Sequence, residues 1–117
     1  MRRLLAHIGI VAALATALVV AVPSAASATP SRCQAWYYNP SDMNYGWGGA
    51  WCGAGTGQYR VVITCKVSSS SAIAVVGNWT PVENWLVDSR ANCPLGSTAI
   101  GVGVRSSTGE SLPYTRV

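Results

Sequence analysis

Residues 58–67 read Gln58-Tyr59-Arg60-Val61-Val62-Ile63-Thr64-Cys65-Lys66-Val67, and this stretch decides the fold. Tyr59, Val61, Ile63, Cys65 and Val67 share one phase of a period-two pattern, while Arg60, Thr64 and Lys66 share the other. Successive side chains of a strand point to opposite faces, so this alternation predicts a half-buried β-strand. Its expected core face carries a tyrosine, aliphatic side chains and one half of a disulfide.

Downstream, Ser68 to Ser71 are polar turn residues, and residues 72–79 resume an apolar run in which Ile73, Val75 and Trp79 share a face. Together these predict a hairpin with a four-residue loop at 68–71. Pro81 breaks the pattern, Trp85-Leu86-Val87 reads as a short third strand, and Asn92-Cys93-Pro94-Leu95-Gly96 carries turn chemistry. Ile100, Val102 and Val104 then alternate with Ala99, Gly101, Gly103 and Arg105, which predicts a fourth strand. The glycines leave one of its faces bare, inviting close approach by a packed neighbour or a ligand; packing is the expectation. Residues 106–117, polar and broken by Pro113, read as an ordered tail or edge strand.

Upstream, Met1-Arg2-Arg3 precedes an uncharged stretch that is rich in Ala, Val, Leu and Ile from Ile8 to Val22. Pro23 ends it, and Ala26-Ser27-Ala28 fits a small-residue cleavage site, so residues 1–28 are expected to be a cleavable secretory signal peptide. A retained anchor from Leu4 to Val22 would nearly span a bilayer, at about 20 residues. The cleavage site and the lack of a basic stop-transfer cluster favour removal. The pair Arg2-Arg3 keeps the twin-arginine route open beside the general one.

Removing residues 1–28 from 117 leaves 89, one small domain at 29–117. A chain of that size buries only about 60–65% of its unfolded surface, so a covalent staple is expected. Cys33, Cys52, Cys65 and Cys93 all lie in this part, and an even count in an exported chain reads as two disulfides. Four cysteines allow three connectivities. The pairing expected is Cys33 with Cys52, closing the aromatic segment, and Cys65 with Cys93, tying two β elements together. The fold class expected is thus all-β, a small antiparallel sheet or sandwich stapled by two disulfides, after an N-terminal signal helix.

Processing also halves the charge. Six basic residues (Arg32, Arg60, Lys66, Arg90, Arg105, Arg116) face four acidic ones (Asp42, Glu83, Asp88, Glu110), so the formal +4 falls to +2. The cations are scattered, whereas nucleic-acid binding needs a concentrated phosphate-neutralising patch, so no nucleic-acid partner is expected. No metal and no cofactor are expected either: there is no Cys-x-x-Cys, and the single histidine, His7, leaves with the signal. Without it the Ser-His-Asp and Cys-His nucleophile systems cannot be assembled. A glycosidase needs only two carboxylates, but nothing around Asp42, Glu83, Asp88 and Glu110 marks a pair, and they read as solvated charges. Gly53-Ala54-Gly55-Thr56-Gly57 lacks the Lys-Ser/Thr and helix of a phosphate loop and reads as a link into the first strand.

Trp36, Tyr37, Tyr38, Tyr45, Trp47 and Trp51 are crowded together, interleaved with Asn39-Pro40, Gly46, Gly48 and Gly49. The chain has five Trp and five Tyr but no Phe, so every aromatic ring has a polar edge suited to a half-wet position. Trp36, Trp51, Trp79 and Trp85 are assigned to core packing. Tyr37, Tyr38, Tyr45 and Trp47, in turn-rich sequence, are the candidate binding residues.

The arrangement Trp51-Cys52-Gly53, Gly57-Gln58-Tyr59-Arg60-Val61, Cys65, Gly77-Asn78-Trp79 and Asn92-Cys93-Pro94-Leu95-Gly96 resembles the small exported disulfide-containing proteins of actinobacteria, as does the Ala-rich leader. It covers roughly residues 51–104, and its motifs are short. The resemblance implies export and a compact β domain, and brings no activity with it. The functional expectation is a secreted, non-enzymatic binding module whose aromatic-rich loop engages an extracellular polymer or protein. The alternative is a proteinaceous inhibitor of a secreted hydrolase, or an antimicrobial effector. A monomer, without a membrane partner once the signal is cleaved, is expected in either case.

Overall fold

The computed structural model describes residues 29–82 and 86–117, so the signal helix and Trp85 lie outside the described residues. The elements are β1 (Ser31–Tyr38), β2 (Trp47–Ala54), β3 (Gln58–Ser68), β4 (Ser71–Val76), β5 (Thr80–Pro81), β6 (Ser89–Asn92), β7 (Thr98–Ser106), β8 (Ser111–Leu112) and β9 (Tyr114–Arg116). Sheet A has the order β6-β2-β1-β9 and sheet B the order β4-β3-β7-β8, with β5 also paired to β3. The neighbours are antiparallel except β1 and β9, which run parallel.

The two sheets stack as a sandwich because each has one apolar face. Cys33, Ala35, Ala50, Cys52 and Ala91 come from sheet A, and Tyr59, Val61, Ile63, Cys65, Ala99, Val104 and Leu112 from sheet B; all are buried in one cluster. Sheet A contributes mostly small side chains and sheet B the large ones. A Cβ on Gly48 of β2 would lie 2.6 Å from Ile63 Cγ2, so the bare backbone there sets how closely β2 and β3 approach. Cys33 and Cys52 are directly opposite in the β1–β2 register, 3.9 Å apart at Cα, and their bond welds sheet A. Cys65 of β3 bonds Cys93, just past β6, and joins one sheet to the other. A polar seam adds to this link. The fully buried Ser89 accepts from the Val61 N–H at 3.0 Å and donates to the Asn78 carbonyl at 2.7 Å.

Two bulges alter the phase read from the sequence. The β3–β4 register slips between Lys66 and Ser68, which turns Val67 off the core face and leaves it 40% exposed. The β3–β7 register slips between Thr64 and Cys65, so Ile100 is unpaired and exposed while Ala99, Val102 and Val104 turn inward. A β-bulge inserts one extra residue, and every side chain beyond it changes face. The hairpin turn is shorter than expected, because β4 begins at Ser71. Leu86 and Val87 form no strand; the pairing segment is β6, a few residues later. The bare face of β7 is not packed: a Cβ on Gly103 would meet nothing within 4 Å, and a groove of about 290 Å³ opens there beside Thr64, Arg105, Ser111 and Tyr114. Residues 111–116 supply β8 to sheet B and β9 to sheet A.

Candidate functional site

Burying Cys33, Ala35, Ala50 and Cys52 fixes the other phase of β1 and β2. Gln34, Trp36 and Tyr38 must then face outward from sheet A, with Trp51, Gly49 and Trp47 directly opposite them. β6 adds Asn92 opposite Trp47 and Arg90 opposite Gly49. The outer face is thus a grid of Asn92-Trp47-Tyr38, then Arg90-Gly49-Trp36, then Trp51-Gln34, with rows about 7 Å apart along the strands.

The rings are bedded on backbone. A Cβ on Gly49 would lie 2.7 Å from Trp36 Cζ2, and one on Gly53 would lie 2.6 Å from Trp51 Cη2. Each indole therefore lies down over a glycine, half-buried, with its other side turned outward. Tyr38 and Trp47 meet with ring centroids 5.3 Å apart at 53°. The Arg90 guanidinium sits 5.4 Å from the centre of the Trp47 ring and is anchored to Asp88 by Nε to Oδ1 at 2.9 Å and Nη2 to Oδ2 at 3.2 Å. That pair holds Arg90 more firmly in its charged form.

At the Trp47 end the face dips into an open cleft of about 530 Å³, walled by Pro40, Asp42, Met43, Tyr45, Arg90 and Asn92. The loop carrying Asp42, Met43 and Tyr45 is tied down. Asn39 Nδ2 donates to the Ala99 carbonyl at 2.8 Å, and the Ala99 N–H donates to Asn39 Oδ1 at 2.7 Å, a side-chain copy of strand pairing. Gly46 donates to the Ser97 carbonyl, Gly96 to the Asn44 carbonyl, and Cys93 to the Gly46 carbonyl. The cleft wall is pre-organised by these bonds.

Of the four binding residues read from the sequence, Tyr38, Tyr45 and Trp47 come together here. Tyr37 has the opposite phase: it packs against the core, and Arg116 stacks on its ring at 3.9 Å. Trp36 and Trp51, assigned to the core, lie on the outer face, and Trp79 is 39% exposed beneath the Arg60 guanidinium. None of these three fills the centre, because the small residues of sheet A bring its backbone too near sheet B to admit an indole. Reading Cys33 and Cys52 as one inward cross-strand pair would have found Trp36, Trp51 and Gly49, since counting in twos from either cysteine separates the two faces. Among the described residues no cluster of His, Cys, Asp or Glu could hold a metal ion, and no helix is long and apolar enough to cross a membrane. No protein-family model, curated protein or solved structure matches the chain.

Proposed function

We propose that this is an exported, non-catalytic carbohydrate-binding module that uses the outer face of sheet A. One observation carries the reading: Trp36, Trp47, Trp51 and Tyr38 lie on one face of a disulfide-welded sheet, with Gln34, Arg90 and Asn92 between and beside them. A pyranose ring presents an apolar C–H face edged by hydroxyls. Flat indoles complement the first, and amide and guanidinium groups the second. The length of the grid suits several consecutive sugars, hence a polymer. Two disulfides are compatible with an oxidising compartment, and the leader read at residues 1–28 supplies the route.

The test is retention of the oxidised protein on insoluble peptidoglycan, chitin and cellulose. Retention on at least one is expected, with Trp47→Ala and Trp36→Ala each weakening it by about 2 kcal/mol, roughly 30-fold in Kd. Retention indifferent to both substitutions, or none at all, defeats the glycan reading. Inhibition of secreted proteases or amylases in its place would make the chain an inhibitor.

A further inference from the structure

Each sheet has two edges; one edge of sheet B is shared by β4 and the two-residue β5 with its Pro81, and the other three edges are guarded. β6 is short and carries Arg90, β8 is only two residues long and is followed by Pro113, and β9 carries Arg116 just after that proline. Charges, prolines and brevity are the means by which sheet proteins keep edges from pairing with other chains. β4 has none of them. Ser71-Ala72-Ile73-Ala74-Val75-Val76 holds no charge, proline or glycine and pairs regularly with β3 from Ala72 to Val76. It is nearly all exposed, with Ile73 at 43% and Val76 at 46%.

The hydrogen-bond phase of this edge is fixed. Gly77 donates to the Val61 carbonyl at 2.9 Å, continuing the β3–β4 register, and antiparallel ladders alternate bonded and non-bonded pairs. Ile73 and Val75 therefore turn their amides toward β3. The N–H and C=O groups of Ala72, Ala74 and Val76 point off the edge.

We propose that β4 is a pairing edge whose occupant is a second copy of this chain, joined antiparallel about a two-fold axis through Ala74. The row is self-complementary. Around that axis Ala74 meets Ala74, Ala72 meets Val76, and Ile73 meets Val75, so every cross-strand pair sets one uncharged apolar side chain against another. The outward amides of one copy meet those of the other in phase, which extends sheet B across both. No charge is brought into the seam: Lys66 and Arg60 lie one strand in on β3, so the cations of the two copies stay about three strand spacings apart, roughly 14 Å, beyond the screening length of physiological salt. A two-fold axis perpendicular to the sheet keeps both copies the same way up. Their two aromatic faces thus point to one side, and the pair is bivalent toward an extended polymer. The bivalency rests on the carbohydrate reading above; the pairing does not.

The experiment is sedimentation equilibrium of the oxidised protein from micromolar to millimolar, with Ala74→Lys, which sets two cations on the axis, and Ala74→Pro, which removes an outward N–H and leaves the β3 ladder intact. The wild type is expected to pass from monomer to dimer with concentration, and both variants to stay monomeric with unchanged circular dichroism and disulfides. Amide exchange at Ala72, Ala74 and Val76 should slow as the wild type is concentrated. A wild type that remains monomeric throughout, or a dimer that survives both substitutions, overturns the pairing. If the glycan is also bound, Ala74→Lys should lower retention on the insoluble polymer roughly 10- to 100-fold and leave affinity for a soluble oligosaccharide unchanged. Equal retention of dimer and monomer would overturn the bivalency alone.

Discussion

Tyr59 shows what a single residue does in this core. Among the described residues it is the largest fully buried side chain, and its hydroxyl makes no hydrogen bond of good geometry. Burial pushes the phenol above its ordinary range, the nearby Cys52 backbone offsets part of this, and the charge of Asp88 adds to it. The ionised form is thus disfavoured in the fold. Below about pH 10, the ordinary phenol value, both states are protonated and the group does not alter stability with pH. Above it the unfolded chain releases the proton first, so stability falls as pH rises toward the folded value. Tyr59→Phe should remove this alkaline loss in urea titrations at pH 9 to 11, and at pH 7 should change stability by less than about 1 kcal/mol. A wild-type and variant that lose stability in parallel would assign the alkaline limb to another group. Tyr59, Val61, Ile63 and Cys65 were legible from alternation alone, since β3 keeps its phase from Tyr59 to Cys65 and the extra residue of the β3–β7 slip lies in β7. Val67 and Ile100 were not, because a bulge leaves no mark in an apolar–polar pattern.

At the scale of elements, β3 and the longer part of β7 could be read because their phases differ in polarity. β1 and β2 could not: Tyr and Gly occupy both of their faces and the outer one carries apolar indoles, so the period is hidden, and glycine runs resemble turns. β6 escaped notice because it is four residues long with a charge in it. The loop between β1 and β2 is the element on which the cleft depends, and Asn39 is its anchor. Asn39→Ala would leave the buried Ala99 N–H and its carbonyl unpaired. A loss of about 1–3 kcal/mol in urea unfolding is expected, together with faster amide exchange at Ala99 and Gly46. No change in either would mean that the backbone bonds between residues 44–46 and 93–97 hold the loop by themselves.

For the molecule as a whole, the two disulfides divide the labour: one lies within a sheet and one between sheets. They close loops of similar size, with sequence separations of 19 and 28, so their effects on the unfolded chain differ by only a few tenths of a kcal/mol. Replacing either pair with alanine should then cost a similar amount, about 3 kcal/mol, in chemical denaturation. If losing Cys65–Cys93 costs far more, the sandwich depends on that bond to keep its layers in contact in the native state, and the Ser89 seam is too weak to do so.

The parallel pairing of β9 with β1 has a consequence in time. Tyr114 sits opposite Cys33, and Val117 donates to the Ala35 carbonyl, so the first strand of the described chain waits for the last before its free edge is covered. The β1–β2 and β3–β4 hairpins can each form from neighbouring segments. The closing of sheet A is the most non-local event in the molecule, and such contacts form slowly. A chain that emerges N-terminus first during synthesis would hold that edge open until residues 114–117 had emerged, so sheet A is completed after the hairpins.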